Sequence, residues 1–447
     1  MSGAGAAGAH PAGGRTVDQV IDARGLSGFQ MAALIMCGTI LFLDGFDIQT
    51  MALAVPSMAA EFGVDRAAFG GPLSASLWGI LVASFLIGPV GDYVGRKPLA
   101  LGALLVVSVS TLAVPFTSDM TTLTALRFVT GLGLGAGMPN AYALSTELAP
   151  ARMRSPVLVA MASAVAGGAL VAGFTAPWLM EAGGWRMVFY AGGVLPLIIC
   201  VLLAVLLPES PRLLAVRRWE DPRIGRFLAR IGAGPVSVVP GTKGPATKAP
   251  VAALFERNYL PATLLLWAGY TLVSFVLYLL ISWLPTLLTD AGWPLAAAQR
   301  GGVLIQLGGI MGGVAYAFYV RKGQPHYALI AAMALSAVSI IAFWVAPPTY
   351  LAWSLVMVAL GGGVSGALFA LIAVAGGVYP ATMRATGLSY MVGVSRFAAA
   401  VSPLAGGFLL AMGFGPTAVL NMLIVPIGIA AVGSLLLPRV APKEAAL

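Results

Sequence analysis

The chain has 447 residues, of which 59% are hydrophobic and only 9% are charged, and its formal net charge is +9. Soluble domains carry about a quarter of charged residues, so this composition excludes a soluble fold and makes lipid the solvent for most side chains. The basic residues occupy short loops between apolar stretches, which argues against nucleic acid as a partner. Cys37 and Cys200 lie in apolar stretches and offer neither a disulfide framework nor metal-ligand spacing.

The chain begins with a polar segment and continues with twelve apolar ones. Residues 1–27 are rich in glycine and alanine and lack an apolar core followed by a cleavage site, so we expect a disordered cytoplasmic tail. A membrane-spanning helix needs about 20 apolar residues. The predicted class is an all-α membrane protein with twelve transmembrane helices in two pseudo-symmetric bundles of six. The predicted spans are 29–55, 68–90, 98–116, 120–145, 156–180, 186–207, 259–284, 297–320, 326–346, 350–377, 385–410 and 415–437.

One long polar segment divides the spans into two sets of six. This segment, 208–258, is rich in glycine, proline and lysine, as is typical of a linker. We therefore predict an N-terminal bundle over 28–207, a cytoplasmic central loop over 208–258, a C-terminal bundle over 259–438 and a cytoplasmic tail over 439–447.

The placement of basic residues predicts the orientation in the membrane. Of the 25 lysine and arginine residues, 20 lie in loops or tails on one side of the twelve predicted spans, and three lie on the other side, in a loop or at the end of a span. Cytoplasmic loops are enriched in lysine and arginine, so both termini are predicted to be cytoplasmic. The remaining two cations, Arg127 and Arg396, lie inside predicted spans.

Short sequences repeat between the two halves. Residues 150–154 read Pro-Ala-Arg-Met-Arg, and residues 380–384, 230 positions later, read Pro-Ala-Thr-Met-Arg. The glycines of the fourth span at 131 and 133 recur at the same offset in the tenth span. Parallel repeats of this kind place a binding site at their interface, near the middle of the bilayer.

The loop after the second span carries the most recognisable pattern. It reads Gly88-Pro-Val-Gly-Asp92-Tyr-Val-Gly95-Arg96-Lys97, which matches the Gly-x-x-x-Asp-x-x-Gly-Arg-Lys loop of the major facilitator superfamily. From about residue 17 to 437 the chain resembles that superfamily, and within it the aromatic acid/proton symporters, similar to transporters of 4-hydroxybenzoate and protocatechuate. The closer resemblance is carried by Leu43-Asp-Gly-Phe-Asp47, Arg127-Phe-Val-Thr-Gly-Leu-Gly-Leu-Gly-Ala-Gly-Met-Pro-Asn140, Ser282-Trp-Leu-Pro-Thr-Leu287, Arg384-Ala-Thr-Gly387 and Arg396.

Four charged residues stand out because they lie well inside predicted spans, where a charge costs about 2.5–3.5 kcal/mol on insertion scales. They are Asp44, Asp47, Arg127 and Arg396. Asp44 and Asp47 share one helical face, and burial favours the neutral form of a carboxyl group, so we predict that this pair carries the coupling proton. An arginine fork holds a carboxylate by two parallel hydrogen bonds, so Arg127 and Arg396 are predicted substrate ligands. The alternative is that Asp44 or Asp47 only neutralises Arg127 in a fixed ion pair.

Second-half side chains could contact the ring of an aromatic substrate. The candidates are Tyr270, Trp283 and Gln306, together with Tyr278 and Trp267, although tryptophan and tyrosine also populate membrane interfaces without touching any ligand.

The loop pattern suggests a gating role. The resemblance implies that this loop latches the cytoplasmic side and sets the balance between conformers. The residues assigned to that role are Gly88, Asp92, Gly95, Arg96, Lys97 and Glu147, and Glu147 has the alternative of being an ordinary surface carboxylate. The chain departs from the family after the eighth span, because no acidic residue occurs between Gly313 and His326 where members usually keep a carboxylate.

The resemblance implies proton symport of a small aromatic carboxylate by alternating access in the inner membrane, by a monomer that is not an enzyme and uses no cofactor except the proton as coupling ion. One alternative is a superfamily transporter of another metabolite, such as a sugar or an aliphatic acid. A second alternative is a transport-inactive membrane sensor. Gly131–Gly137 follows no strand and lies in an apolar span, so it is predicted to be a packing surface and not a nucleotide loop.

Overall fold

The computed structural model describes residues 15–233, 239, 251–321, 325–345 and 349–442. Long helices dominate this part of the chain, and their bounds follow the predicted spans closely. They are α1 (Gly28–Phe62), α2 (Gly70–Leu86), α3 (Arg96–Ala113), α4 (Met120–Leu148), α5 (Arg154–Gly183), α6 (Trp185–Leu206), α7 (Leu260–Asp290), α8 (Leu295–Arg321), α9 (Pro325–Val345), α10 (Tyr350–Val378), α11 (Ala381–Ala411) and α12, which has two segments, Pro416–Met422 and Ile424–Val440.

Within the described residues, ten helices are long and apolar enough to cross a membrane. The long helices α4 and α8 are not among the ten, because they contain many glycines and polar side chains such as Arg127 and Gln299. These two helices approach their neighbours closely along their glycines, as glycine allows between membrane helices. The predicted arrangement of twelve helices in two bundles is confirmed.

The two halves use the same helix pairings. In the first half α1 packs on α5, and α4 packs on α2 and α3; in the second half α7 packs on α11, and α10 packs on α8 and α9. The repeated glycines explain this equivalence. Gly131 lies against the backbone of Ser76 in α2, and Gly361 lies against the backbone of Ile305 in α8. A side chain at either position would push the helices apart, so the sequence repeat is a repeat of helix contacts.

Helix ends follow local capping rules. Ser27 begins α1 with a capping box, in which its hydroxyl accepts a hydrogen bond from the Gln30 amide and the Gln30 side chain accepts one from the Ser27 amide. The same helix ends at Gly63, whose left-handed φ of 65° suits glycine. Helix α1 therefore continues past Pro56, beyond the predicted end of the first span at 55.

The N-terminal tail differs in part from the prediction. Residues 1–14 lie outside the described residues, but Val17–Asp22 forms a short helix with a capping box at Thr16, so the expectation of disorder through residue 27 is wrong for this part. The helix packs on Pro211–Arg217 and Pro222–Arg230 of the central loop, which buries an apolar face. Residues 234–238 and 240–250 of that loop, and residues 443–447 of the C-terminal tail, lie outside the described residues.

The two halves meet along α1 and α7, α2 and α11, and α5 and α8. We call the end of the bundle that carries the α1–α2 connection the Arg66 end, and the opposite end, with the α2–α3 loop, the Arg96 end. Among the described residues, the hydrogen bonds that join the two bundles lie toward the Arg66 end. They are made by Arg66 to Asp290, by the Ser74 hydroxyl to the Ala400 carbonyl, and by the Gln299 amide to the Leu53 carbonyl and the Met180 sulfur.

Candidate functional site

A buried ion pair lies inside the first half. The Arg127 guanidinium of α4 donates to both carboxylate oxygens of Asp47 in α1, at 3.1 Å from Nη1 and 2.8 Å from Nη2. The Thr111 hydroxyl of α3 donates to the same carboxylate at 3.2 Å. Asp47 and Arg127 are each 1% exposed. Two charges removed from water need this type of bidentate geometry to offset their desolvation.

This geometry favours one of the two hypotheses for Arg127. Its two Nη groups are occupied by Asp47, and its buried Nε has no hydrogen-bond partner among the described residues. Arg127 therefore forms an ion pair with one of the two aspartates in this conformation, as the alternative interpretation has it. Its predicted role as a substrate ligand stays a prediction, which this conformation does not support.

Asp44 has different surroundings, although it lies on the same helix less than one turn away. It is 1% exposed, and neither of its carboxylate oxygens has a hydrogen-bond partner among the described residues. The charged groups that act on it are Asp47 and Arg396, and Arg396 comes from α11 in the other half. A buried carboxylate that carries a charge and lacks hydrogen-bond donors is energetically costly. Because Asp44 makes no hydrogen bond within the described residues, taking up a proton breaks none.

Arg396 is the counterpart of Asp44 across the interface. It is partly buried, and no described residue forms a hydrogen bond or an ion pair with its guanidinium. Its charge acts on three phenols, those of Tyr142 in α4 and of Tyr270 and Tyr278 in α7. All three tyrosines are partly buried, which is typical of side chains that line a cavity. We call Asp44, Tyr142, Tyr270, Tyr278 and Arg396 the interface cluster.

The other predicted ring contacts have separate outcomes. Tyr270 belongs to the interface cluster. Trp283 is 0% exposed, and its indole nitrogen donates to the Pro403 carbonyl at 2.9 Å. The prediction that Trp283 contacts substrate is therefore corrected for this conformation, because its face and its donor are used in packing α7 on α11. Gln306 is partly buried on α8, and no hydrogen bond joins its amide to another described residue.

The predicted gating residues form one polar network at the Arg96 end. The Arg96 guanidinium lies 2.6 Å from the Asp92 carboxylate, 3.4 Å from Glu147 and 3.2 Å from the Asn140 side-chain oxygen. Glu147 is thus part of the network and not an ordinary surface carboxylate. A further carboxylate, that of Glu209, accepts from the Arg96 and Lys97 backbone amides at 3.0 and 3.2 Å.

Glycine is required inside this network. Gly95 has φ 126°, which side-chain-bearing residues rarely adopt, and a Cβ atom there would collide with the Glu209 carboxylate. Gly88 packs beside Pro139 of α4, and the Lys97 ammonium donates to the Ala204 carbonyl at 2.7 Å. Within the described residues every hydrogen bond of this network joins parts of the first half or the start of the central loop, so it does not tie the halves together in this conformation.

Sequence reasoning missed further residues, among them Tyr142 and Glu209, which the structure brings into these sites, and Gln49, which is buried outside both. Tyr142 enters the interface cluster, and its signal was a polar side chain two positions after Asn140 in a spanning helix. Glu209 enters the gating network from Pro208-Glu-Ser-Pro, where an acid next to two prolines had no visible partner. Gln49 is 1% exposed with both amide atoms unpartnered among the described residues, and it packs beside Gly302 of the other half.

No group of three or more histidine, cysteine, aspartate or glutamate side chains that could hold a metal ion occurs within the described residues. The interface cluster offers one guanidinium, one carboxyl group and three phenols. Such a set can bind a small planar anion and transfer a proton.

The chain is similar to known proteins over most of its length. A family model described as Major Facilitator Superfamily matches residues 35–375. The chain is 36% identical to the 4-hydroxybenzoate transporter PcaK of Pseudomonas putida over 93% of this chain and 94% of that protein. It is 37% identical to the gallate transporter of Pseudomonas putida over 91% of each chain.

A solved structure shares the fold. The crystal structure of a bacterial homolog to the human lysosomal transporter Spinster, in an inward-facing and unoccupied conformation, aligns with a TM-score of 0.69. The sequence identity is 19%, and the alignment covers 94% of this chain and 99% of that chain.

Proposed function

The chain belongs to the major facilitator superfamily, and on that premise we propose that it imports a small aromatic carboxylate together with protons by alternating access. Relatives that cover most of its length include transporters named for 4-hydroxybenzoate and gallate, which are hydroxylated benzoic acids. A multi-pass membrane protein with these relatives is a transporter rather than a sensor. Proton coupling and the site residues are part of the proposal.

The unpartnered guanidinium of Arg396 is the observation that supports the substrate assignment. Its guanidinium has no carboxylate partner among the described residues, yet it lies at the interface of the two halves. A free guanidinium in a partly desolvated site matches a carboxylate with two parallel hydrogen bonds. The phenols of Tyr142, Tyr270 and Tyr278 offer donors and acceptors for ring hydroxyl groups and faces for ring stacking.

Asp44 is the proposed proton carrier. Its carboxyl group is buried and free of hydrogen bonds within the described residues, so protonation breaks no contact. The neighbouring charges have opposite effects, because Asp47 disfavours a second negative charge and Arg396 favours it. When a substrate carboxylate neutralises Arg396, the charged form of Asp44 loses its support, and Asp44 takes up a proton. Asp47 contributes by holding Arg127 in place.

The conformation fits one step of alternating access. With both termini cytoplasmic, as the distribution of basic residues predicts, the Arg66 end is the outer end and it is closed by contacts between the halves. The gating network around Arg96 then lies on the cytoplasmic side. The membrane that we propose for the protein is the inner membrane of the cell. We propose that Asp92 engages the second half in the opposite conformation, since its side chain is 56% exposed here.

Uptake into proteoliposomes tests the proposal. Purified full-length protein is reconstituted, and uptake of labelled 4-hydroxybenzoate is measured with the outside acidic relative to the lumen. We expect accumulation above the outside concentration that collapses when the pH gradient is dissipated.

Two competitors separate the alternatives. Gallate should inhibit this uptake, whereas glucose and succinate should not. Inhibition by glucose or succinate alone would indicate a transporter of another metabolite. Absence of both net uptake and exchange for all these compounds would indicate a transport-inactive membrane protein.

A further inference from the structure

A cavity lies apart from the interface cluster, at the Arg96 end. It has a volume of about 380 Å³ and is lined by Tyr93, Leu214, Arg217, Arg218 and Arg223. Three of its five lining residues are therefore arginines, contributed by the two short helices Pro211–Arg217 and Pro222–Arg230 and the turn between them. We call this cavity the arginine pocket.

The three arginines differ in what already engages them. Arg217 donates to the backbone carbonyl of Asp92. Arg223 forms a fork with the Asp221 carboxylate, with its Nε 3.0 Å from one oxygen and its Nη2 2.9 Å from the other. Within the described residues no hydrogen bond or ion pair engages the Arg218 guanidinium, and the residue is exposed. The pocket thus holds one free guanidinium beside two anchored ones.

The charge of the pocket is independent of pH in the physiological range. The hydrogen bonds from Arg223 lower the pKa of Asp221 to about 2, so this carboxylate stays ionised and keeps Arg223 oriented. Asp221 offsets one of the three arginine charges, and Glu209 also acts on Arg223, so Arg217 and Arg218 carry most of the positive charge that faces a ligand. Guanidinium forks match phosphate oxygens geometrically as well as electrostatically.

The surroundings of the pocket point to lipid. The apolar span Arg66–Val94 ends at this pocket, which places it where a membrane span meets water. Tyr93 and Val94 are 82% and 59% exposed, so an apolar surface continues from the rim of the pocket. Basic pockets beside spans on the cytoplasmic side recognise anionic headgroups. A soluble phosphate would use the arginines and leave this apolar surface uncovered.

We propose that Arg217, Arg218 and Arg223 form a binding site for a phosphate group, supplied by the headgroup of an anionic phospholipid. The phosphate lies against the Arg218 guanidinium and reaches the outward N–H groups of Arg217 and Arg223, while the acyl chains follow Tyr93 and Val94 into the bilayer. This site is distinct from the interface cluster and does not depend on the identity of the transported molecule.

Native mass spectrometry of the delipidated full-length protein tests the site, with phosphatidylglycerol as the probe. Arg218→Ala removes the free guanidinium, and Arg226→Ala is the control, because Arg226 is an exposed arginine of the neighbouring helix Pro222–Arg230 that does not line the pocket. Loss of one surface charge contact weakens the affinity by about fivefold. We therefore expect phosphatidylglycerol to bind Arg218→Ala about fivefold more weakly than the wild type. Arg226→Ala should bind it with wild-type affinity.

The source of the phosphate is separated by a second probe, inorganic phosphate, with thermal unfolding as the measurement. Stabilisation of the wild type but not of Arg218→Ala by inorganic phosphate, without Arg218-dependent lipid binding, would keep the phosphate site and assign it to a soluble anion. Equal loss of lipid from Arg218→Ala and Arg226→Ala would show diffuse attraction to a basic surface and overturn the proposal. So would the absence of Arg218-dependent binding of either probe.

Discussion

Two combinations of an aspartate and an arginine lie within the spans, and only the first is an ion pair in this conformation. Asp47 and Arg127 belong to the same half, are both 1% exposed and share two hydrogen bonds. Asp44 and Arg396 belong to opposite halves, and the Asp44 oxygens have no hydrogen-bond partner within the described chain. A pair inside one rigid half keeps its geometry when the halves move, whereas a pair across the interface changes with each conformational step.

This difference suggests that charged residues of the same type have different roles, one set holding helices together and the other taking part in transport. The Asp47–Arg127 pair joins α1 to α4 inside the first half. Under the proposed function, Asp44 responds to protons and Arg396 to substrate, because the described residues give neither side chain a hydrogen-bond partner. An intramembrane charge is thus a functional candidate, and its partners decide which function it has.

The largest expected effect comes from breaking the Asp47–Arg127 ion pair. In Arg127→Met the Asp47 carboxylate is left buried with only the Thr111 hydroxyl as a donor. Because an uncompensated buried charge is costly, we expect the free energy of unfolding to fall by about 3–5 kcal/mol. Denaturant unfolding of the protein in detergent measures this. The control is Arg127→Met combined with Asp47→Leu, which removes both charges and should restore most of the lost stability. A single variant as stable as the wild type would contradict the assignment.

The next effect concerns Arg396, which has no hydrogen-bond or ion-pair partner within the described residues. Arg396→Lys keeps the positive charge but cannot make two parallel hydrogen bonds to a carboxylate. We expect 4-hydroxybenzoate to bind more weakly by about 1.5–3 kcal/mol, the value of a hydrogen bond to a charged group, with unchanged unfolding. Calorimetric titration measures the affinity, and Arg300→Lys, an exposed arginine on α8, is the control. Unchanged affinity in Arg396→Lys would place the carboxylate site elsewhere.

Asp44→Asn tests whether Asp44 carries the coupling proton. The side chain keeps its size, and no hydrogen bond is lost because the carboxylate oxygens have none within the described residues. Each symported proton contributes about 1.4 kcal/mol per unit of pH difference, and we expect this contribution to disappear. Accumulation in proteoliposomes should fall to equilibration while exchange of internal for external substrate continues.

The matched variant for this test is Asp47→Asn, which should lower stability because it weakens the hydrogen bonds to Arg127. Wild-type accumulation by Asp44→Asn would exclude Asp44 as the proton carrier.

The smallest effect is expected at the exposed ion pair between the halves. Arg66 and Asp290 have side chains that are 33% and 28% exposed, and such pairs contribute about 0–1 kcal/mol. In Arg66→Gln we expect a shift of at most a few-fold toward the conformation that opens the Arg66 end, and a smaller shift at high salt. Distances between spin labels on the two halves at this end measure the populations.

The control for this shift is Arg186→Gln, which breaks the similarly exposed pair with Glu61 inside the first half at the same end. Equal shifts in both variants would show that the effect does not come from joining the halves.

Much of the architecture was determined by the sequence alone. The apolar spans predicted the long helices to within a few residues at most ends, because a spanning helix must satisfy its own backbone and be covered by about 20 apolar side chains. The repeated glycines predicted equivalent halves, since Gly131 and Gly361 are needed wherever two backbones approach. The resemblance of the α2–α3 loop pattern to that of the superfamily pointed to the gating residues, and in the structure the Arg96 guanidinium lies beside the Asp92 carboxylate although Gly95 interrupts the helix between them.

Only the tertiary structure decided which charges are paired. Asp44 and Asp47 look alike in the sequence, since both lie in one apolar helix three residues apart. Their roles separate because α4 brings Arg127 to one of them and α11 of the other half brings Arg396 near the other. The same holds for Trp283, whose indole could face a cavity or a neighbouring helix until the contact with Pro403 settles it. Helix identity follows from local sequence, whereas the environment of a side chain depends on helices that are distant in the chain.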